Sequence, residues 1–233
     1  MHKVLCAGIG MILLGAGCAS TGPATVAVAP EPVEDENAGF ITLFDGTSTE
    51  GWAVYHEEPG GVKDPEAFQV IDGILTMKGQ CGYWYRYEAR EFSNFIFRCE
   101  FNMEKGANSG ICFHTAREGS PPYTGWEVQI LDEYGKNPHR TSCGAIYDVV
   151  TPMFNAAKPP GEWNQLEVYY KDRKVRVTLN GLKVIDTDFA LLTKPIGKFS
   201  TPYAELATTG FIAIQDHCKP IVRFRNISIK PLD

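Results

Sequence analysis

Apolar residues recur at every second position of this chain, in one short run after another. In Trp126-Glu127-Val128-Gln129-Ile130, the side chains of Trp126, Val128 and Ile130 leave one face of an extended strand and Glu127 and Gln129 leave the other. Phe95, Phe97, Cys99 and Phe101 alternate with Arg98 and Glu100 in the same way, and 165–170 and 174–179 repeat the pattern. Turn dipeptides separate the runs: Asp72-Gly73 divides 68–71 from 74–77, and Asn180-Gly181 divides 174–179 from 182–185. Further strand-like runs are 40–44, 144–148, 210–216 and 221–229. A long strand over 92–103 is expected to form a hairpin with 110–115 across Lys105-Gly106-Ala107-Asn108. Only 189–192 and 203–208 could hold short helical turns. Roughly a dozen short strands with no long amphipathic helix predict an all-β sandwich or barrel.

The first residues have a different purpose. Met1-His2-Lys3 is a short basic start, and Val4 to Ala16 is an apolar run too short to cross a bilayer but suited to an export signal. The run ends Leu14-Gly15-Ala16-Gly17-Cys18, small residues before a cysteine, which predicts cleavage after residue 17 and lipidation of Cys18. The alternative is cleavage near Ala19-Ser20 and release of a soluble periplasmic or secreted protein. With no Asp after Cys18, the outer membrane is the favoured address of the lipoprotein, and the lipid is its only expected membrane contact. Residues 18–38 hold Pro23, Pro30 and Pro32 among small residues, then Glu34-Asp35-Glu36, the composition of a solvated tether. The folded domain is expected over 39–233.

A net charge of −6 argues against a nucleic-acid partner. Outside the signal and anchor, Cys81, Cys99, Cys112, Cys143 and Cys218 remain; an odd count leaves at least one thiol free, and no C-x-x-C pair suggests a zinc or redox motif.

Candidate chemistry lies on the polar faces. Glu127 pairs with Gln129, Gln215 with His217, and Arg223 with Arg225, each on a strand whose other face is apolar. Taken singly, each has a bland explanation: a solvated face, a structural imidazole, or charges that protect an edge strand. Trp84, between Tyr83 and Tyr85, is either core packing or a stacking platform. Together, three such pairs on one curved sandwich suggest a groove for a polyhydroxylated ligand.

The ordered set Phe40-Ile41-Thr42-Leu43-Phe44-Asp45-Gly46, Gly51-Trp52, Asn108-Ser109-Gly110-Ile111, Trp126 to Asp132, Cys143-Gly144-Ala145-Ile146-Tyr147-Asp148, Asn155-Ala156, Gly161-Glu162-Trp163-Asn164, Gln215-Asp216-His217 and Arg223-Phe224-Arg225-Asn226-Ile227 resembles the 3-keto-disaccharide hydrolase family, also described as 3-keto-glucoside lyase/hydratase. The resemblance covers about Phe40 to Leu232 and implies a concanavalin A-like jelly-roll sandwich. It implies cleavage of glycosides already oxidised at C3 by a sugar C3-dehydrogenase. His217 is the implied base, Glu127 a second base, an acid or a metal ligand, and Arg223 or Arg225 the oxyanion partner. Asn108, His114, Gln129, Asp132, Tyr147, Asp148, Gln215 and Trp84 are the expected substrate contacts. Carboxylate and imidazole suit a divalent metal held by Glu127 and His217, although no ligand spacing demands one. Two positions depart from the family pattern: His114 stands where an Arg is common, and Cys218 where a Gly often follows the His.

Overall fold

The computed structural model describes residues 37–58, 64 and 67–233. The expected signal, Cys18 and the tether up to Glu36 lie outside the described residues. Thirteen strands follow in order: β1 (Ile41–Phe44), β2 (Trp52–His56), β3 (Phe68–Ile71), β4 (Ile74–Met77), β5 (Tyr83–Phe92), β6 (Phe95–Met103), β7 (Asn108–Thr115), β8 (Trp126–Leu131), β9 (Trp163–Lys171), β10 (Lys174–Leu179), β11 (Leu182–Asp188), β12 (Gly210–Asp216) and β13 (Val222–Pro231). A single helical turn, α1 (Pro121–Thr124), precedes β8, and 3-10 turns occupy Phe189–Leu191 and Tyr203–Glu205.

The strands form two antiparallel sheets. One runs β11-β10-β9-β6-β13-β4-β3, with β1 also paired to β13; the other runs β2-β5-β12-β7-β8. This is the all-β sandwich that the alternating runs predict, in the jelly-roll form that the family resemblance implies. The hairpins fall where their turn residues stand: Asp72-Gly73 and Asn180-Gly181 both take the positive φ angles that a two-residue turn needs.

One pairing differs from expectation. β6 and β7 are not a hairpin: β6 lies between β9 and β13, whereas β7 lies between β12 and β8 in the opposite sheet. Residues 104–107 cross from one sheet to the other. The apolar sides of β6 and β7 therefore meet across the core, with Phe113 packed 5.2 Å from both Phe95 and Phe97. Alternation correctly assigned the faces of β6, but edge pairing and face-to-face packing share the same alternation. The long 92–103 run breaks at Ser93-Asn94, where β5 ends and β6 begins in the other sheet. Residues 144–148 make only isolated bridges beside β8.

His114 is a second departure. On a regular β7 it would share the outer face with Cys112. The register between β12 and β7 instead shifts between Phe211 and Ala213, and His114 takes φ +55°. Its ring turns inward and packs 4.5 Å from Tyr170 and 5.6 Å from Phe95. One ring nitrogen accepts from Trp126 Nε1 and the other donates to the Ser93 carbonyl, so the ring is neutral and both nitrogens are satisfied. His114 is thus a core residue, not the expected substrate contact.

Burial at 1 % exposure pulls the His114 pKa from 6.5 down to about 4. The unfolded chain takes up this proton near pH 6.5 and the folded protein only near pH 4, so stability falls as pH drops through that interval. The expected loss is about 3 kcal/mol. His114→Phe is predicted to be less stable than wild type at pH 7, because Ser93 and Trp126 lose their partner. The stability difference between the two proteins should shrink by about 3 kcal/mol between pH 7 and pH 4. Urea titrations across that range measure it; a difference independent of pH would contradict a neutral, buried His114.

Candidate active site

Alternation places Glu127 and Gln129 on the outer face of β8, where a wet surface is the simplest expectation. Both are instead buried, at 4 % and 3 % exposure. The chain from Ser142 to Tyr147 runs along the free edge of β8, with Gly144 N–H donating to Gln129 O, Gln129 N–H to Ala145 O, and Tyr147 N–H to Glu127 O. Beside β8, β7 presents Asn108, Gly110 and Cys112; Gly110 pairs with Gln129 and Cys112 with Glu127. A Cβ at Gly110 would lie 2.1 Å from Glu127 Oε1, so only glycine lets this carboxylate lie over β7. Gln129 Nε2 donates to Asn108 Oδ1 at 3.2 Å. β12 contributes Ala213 and Gln215, and the chain just beyond it contributes His217.

The polar side chains among these line one cavity of about 270 Å³. Asn108, Glu127, Gln129, Tyr147, Gln215 and His217, six of the expected site residues, share its wall with Lys198, Tyr123, Glu57 and the Cys81–Cys218 disulfide. Trp84 lies lower. It is fully buried against Cys112, Ala213 and Tyr55, and its Nε1 donates to Glu57 Oε2, so it packs beneath the site rather than offering a stacking face.

Lys198 was not found from the sequence. Its Nζ lies 2.9 Å from Glu127 Oε2 and 4.6 Å from the Tyr147 ring, with the side chain only 14 % exposed. It sits in an irregular loop without periodicity; its one local cue is Gly197, whose φ of +65° lets the backbone pass close to the Asp148 carbonyl. Burial raises the Glu127 pKa, and the neighbouring charges of Lys198 and His217 oppose the rise. The site therefore holds a desolvated carboxylate against an ammonium, with an exposed imidazole nearby and three amides around them.

Four expected residues lie elsewhere. Arg223 and Arg225 are on β13, on the outer face of the other sheet. Arg223 pairs with Glu104 at 2.9 Å, and Arg225 pairs with Glu100 at 2.7 Å while covering the Trp163 ring at 4.0 Å. Their alternation was right, but their sheet was not that of β8 and β12. Asp132 accepts from Gly106 N–H and ties the β6–β7 crossing, and Asp148 pairs with Arg140. As for a metal, Lys198 occupies Oε2 of Glu127, and no group of three or more His, Cys, Asp or Glu among the described residues is placed to hold an ion.

Comparison with known proteins places this geometry in a family. Residues 39–230 match the 3-keto-alpha-glucoside-1,2-lyase-like domain. A "3-keto-disaccharide hydrolase" of Bacteroides thetaiotaomicron is 30 % identical, over 84 % of this chain and 79 % of that protein. Two crystal structures from Parabacteroides distasonis, of proteins provisionally assigned as glycosyl hydrolases, superpose with TM-scores of 0.70. One is 28 % identical and matches 83 % of this chain and 99 % of that one; the other is 27 % identical, with 84 % and 95 % matched. The sandwich, the ordered motifs and the match over nearly all of the described chain lead to one conclusion: this protein belongs to the 3-keto-alpha-glucoside-1,2-lyase-like domain family.

Proposed function

We propose that the protein is a glycoside-cleaving enzyme that acts on 3-keto-glucosides or 3-keto-disaccharides by elimination and hydration. The observation that carries this reading is the buried Glu127–Lys198 pair, set with His217 and three amides in one cavity. The cavity is smaller than the roughly 300–1,000 Å³ of sites for drug-sized ligands, a scale suited to a single pyranose. A purely sugar-binding surface needs amides and aromatics; it has no need of a desolvated carboxylate beside an ammonium.

The chemistry follows from the ketone. A carbonyl at C3 acidifies the hydrogen on C2. In this reading His217 takes that proton, and the electron pair becomes an enolate with its charge on the C3 oxygen. The enolate reforms the ketone and expels the C1 substituent, which leaves as an alcohol once protonated. Water then adds its oxygen at C1 and a proton at C2, so the sum is hydrolysis. Lys198 takes the oxyanion role first assigned to Arg223 and Arg225, because its ammonium is already desolvated and held by Glu127. Glu127, its pKa raised by burial, is suited to hold Lys198 and to exchange a proton with the leaving oxygen. Asn108, Gln129 and Gln215 supply donors and acceptors for hydroxyl groups.

The substrate must come from a dehydrogenase that oxidises a sugar at C3. The N-terminal segment supports export, with Cys18 as the lipid anchor or with release as a soluble protein. The Cys81–Cys218 disulfide fits an oxidising compartment.

Turnover of a 3-keto-glucoside by the purified protein is the direct test. His217→Ala should lower kcat by about 10²–10⁴-fold, and Lys198→Met by about 10²–10³-fold, with folding retained. Arg225→Met should leave turnover within about twofold, since Arg225 lies on the opposite sheet. Full activity in His217→Ala would overturn the base assignment. Sugar binding with no product from any 3-keto substrate would favour a carbohydrate-binding module. Gly110→Ala should lose activity with a stability cost of about 1–3 kcal/mol, because the methyl group displaces the Glu127 carboxylate; thermal unfolding and the same assay measure both.

A further inference from the structure

His217 presents a problem of aim. A catalytic base is ordinarily oriented by a third group bonded to its far nitrogen. Here the imidazole is exposed, and among the described residues no hydrogen bond fixes it. Its direction therefore depends on its backbone, which lies just beyond the end of β12, outside the ladder.

That backbone is held on both sides by the same neighbouring loop. On one side, Asp216 Oδ2 accepts from Gln80 N–H at 2.8 Å. Burial pushes the Asp216 carboxyl up to about 6, so at neutral pH it is ionised and the bond is charge-assisted. On the other side, Cys218 is bonded to Cys81. Cys218 takes φ +67°, a left-handed conformation that costs a residue with a side chain and needs support from its surroundings. The two loops touch closely: a Cβ at Gly79 would lie 2.4 Å from Lys219 Cγ. The residues on either side of His217 are thus both tied to 79–81, and both sulfurs belong to residues that line the cavity.

We propose that the Cys81–Cys218 disulfide is a positioning device for His217, holding the imidazole over the site through its backbone, so that thiol reduction lowers turnover while the substrate-binding strands stay intact. This rests on the base role given to His217 above. Asn108, Glu127 and Gln129 lie on β7 and β8 and Gln215 is held in the β12 ladder, so none of them belongs to the clamped segments 79–81 and 216–218, and substrate affinity should survive when the clamp opens. The remaining described cysteines, Cys99, Cys112 and Cys143, are buried free thiols, which leaves this bond as the target of a mild reductant among the described residues.

The test treats the purified protein with a phosphine reductant under native conditions and follows 3-keto-glucoside kinetics together with hydrogen exchange. The expected result is a fall in kcat of roughly 10- to 100-fold with KM changed by less than about twofold, reversed on reoxidation. Amide exchange should quicken at 216–219 and stay slow in β7 and β8. The double variant Cys81→Ala/Cys218→Gly, in which glycine tolerates the left-handed backbone, should show the same split without any reductant. Unchanged kcat after full reduction would overturn the proposal. So would parallel loss of kcat and affinity with faster exchange throughout β7 and β8, the mark of a merely structural crosslink. If the oxidised protein turns over no 3-keto-glucoside, the proposed function fails, whereas exchange at 216–219 still decides whether the disulfide holds this segment.

Discussion

The site depends on placing one carboxylate in a position largely withdrawn from water. Glu127 reaches that position because β7 carries no side chain at Gly110 and because the 142–147 segment closes the edge of β8. An isolated charge there would be costly, and the Lys198 ammonium at 2.9 Å offsets that cost. Removing one partner of such a buried pair ordinarily costs about 3–5 kcal/mol. The raised pKa of Glu127 offers an escape, since the carboxyl can take up a proton when Lys198 is lost. Such a pair is poorly justified as a device for stability. It is better suited to chemistry, where a desolvated cation has far more effect on a developing negative charge than it would have in water.

The rest of the sandwich supports this arrangement by keeping its two outer faces different. The outer face of the larger sheet carries ion pairs bonded to one another: Arg225 with Glu100, Arg223 with Glu104, and Arg98 with Glu167. These charges satisfy one another at partly exposed positions and contribute little to stability. The outer face of the smaller sheet is covered instead by α1, the Lys198 loop and the 142–147 segment, which turns a polar strand face into a cavity. Between the sheets, Phe95, Phe97, Phe113, Trp126 and Tyr170 form a packed aromatic layer that fixes the distance between the two faces.

Much of this was legible in the sequence, for a physical reason. Alternation reports which side chains share a face, so Glu127 with Gln129, and Gln215 with His217, were paired correctly. Two-residue turns report local hairpins, so β3–β4 and β10–β11 were found. Alternation does not report which strand lies beside which, and that decision placed Arg223 and Arg225 on the wrong sheet and made a hairpin of β6 and β7. A register shift inverts the pattern locally, which turned His114 into the core. Lys198 comes from a loop, where no period exists to carry information; only the packed structure brings it to Glu127. The ordered motifs identified the family despite these errors, because they depend on residue identity and order rather than on sheet neighbours.

In the proposed mechanism the bond to C1 breaks only after the hydrogen on C2 has been removed. Turnover of a 3-keto-glucoside in deuterium oxide tests it most directly. Elimination followed by hydration predicts a solvent deuteron at C2 of the released 3-keto-glucose, in excess of that acquired by free 3-keto-glucose incubated without enzyme. Retention of the original hydrogen at C2 throughout turnover would contradict the account and point to direct displacement at C1.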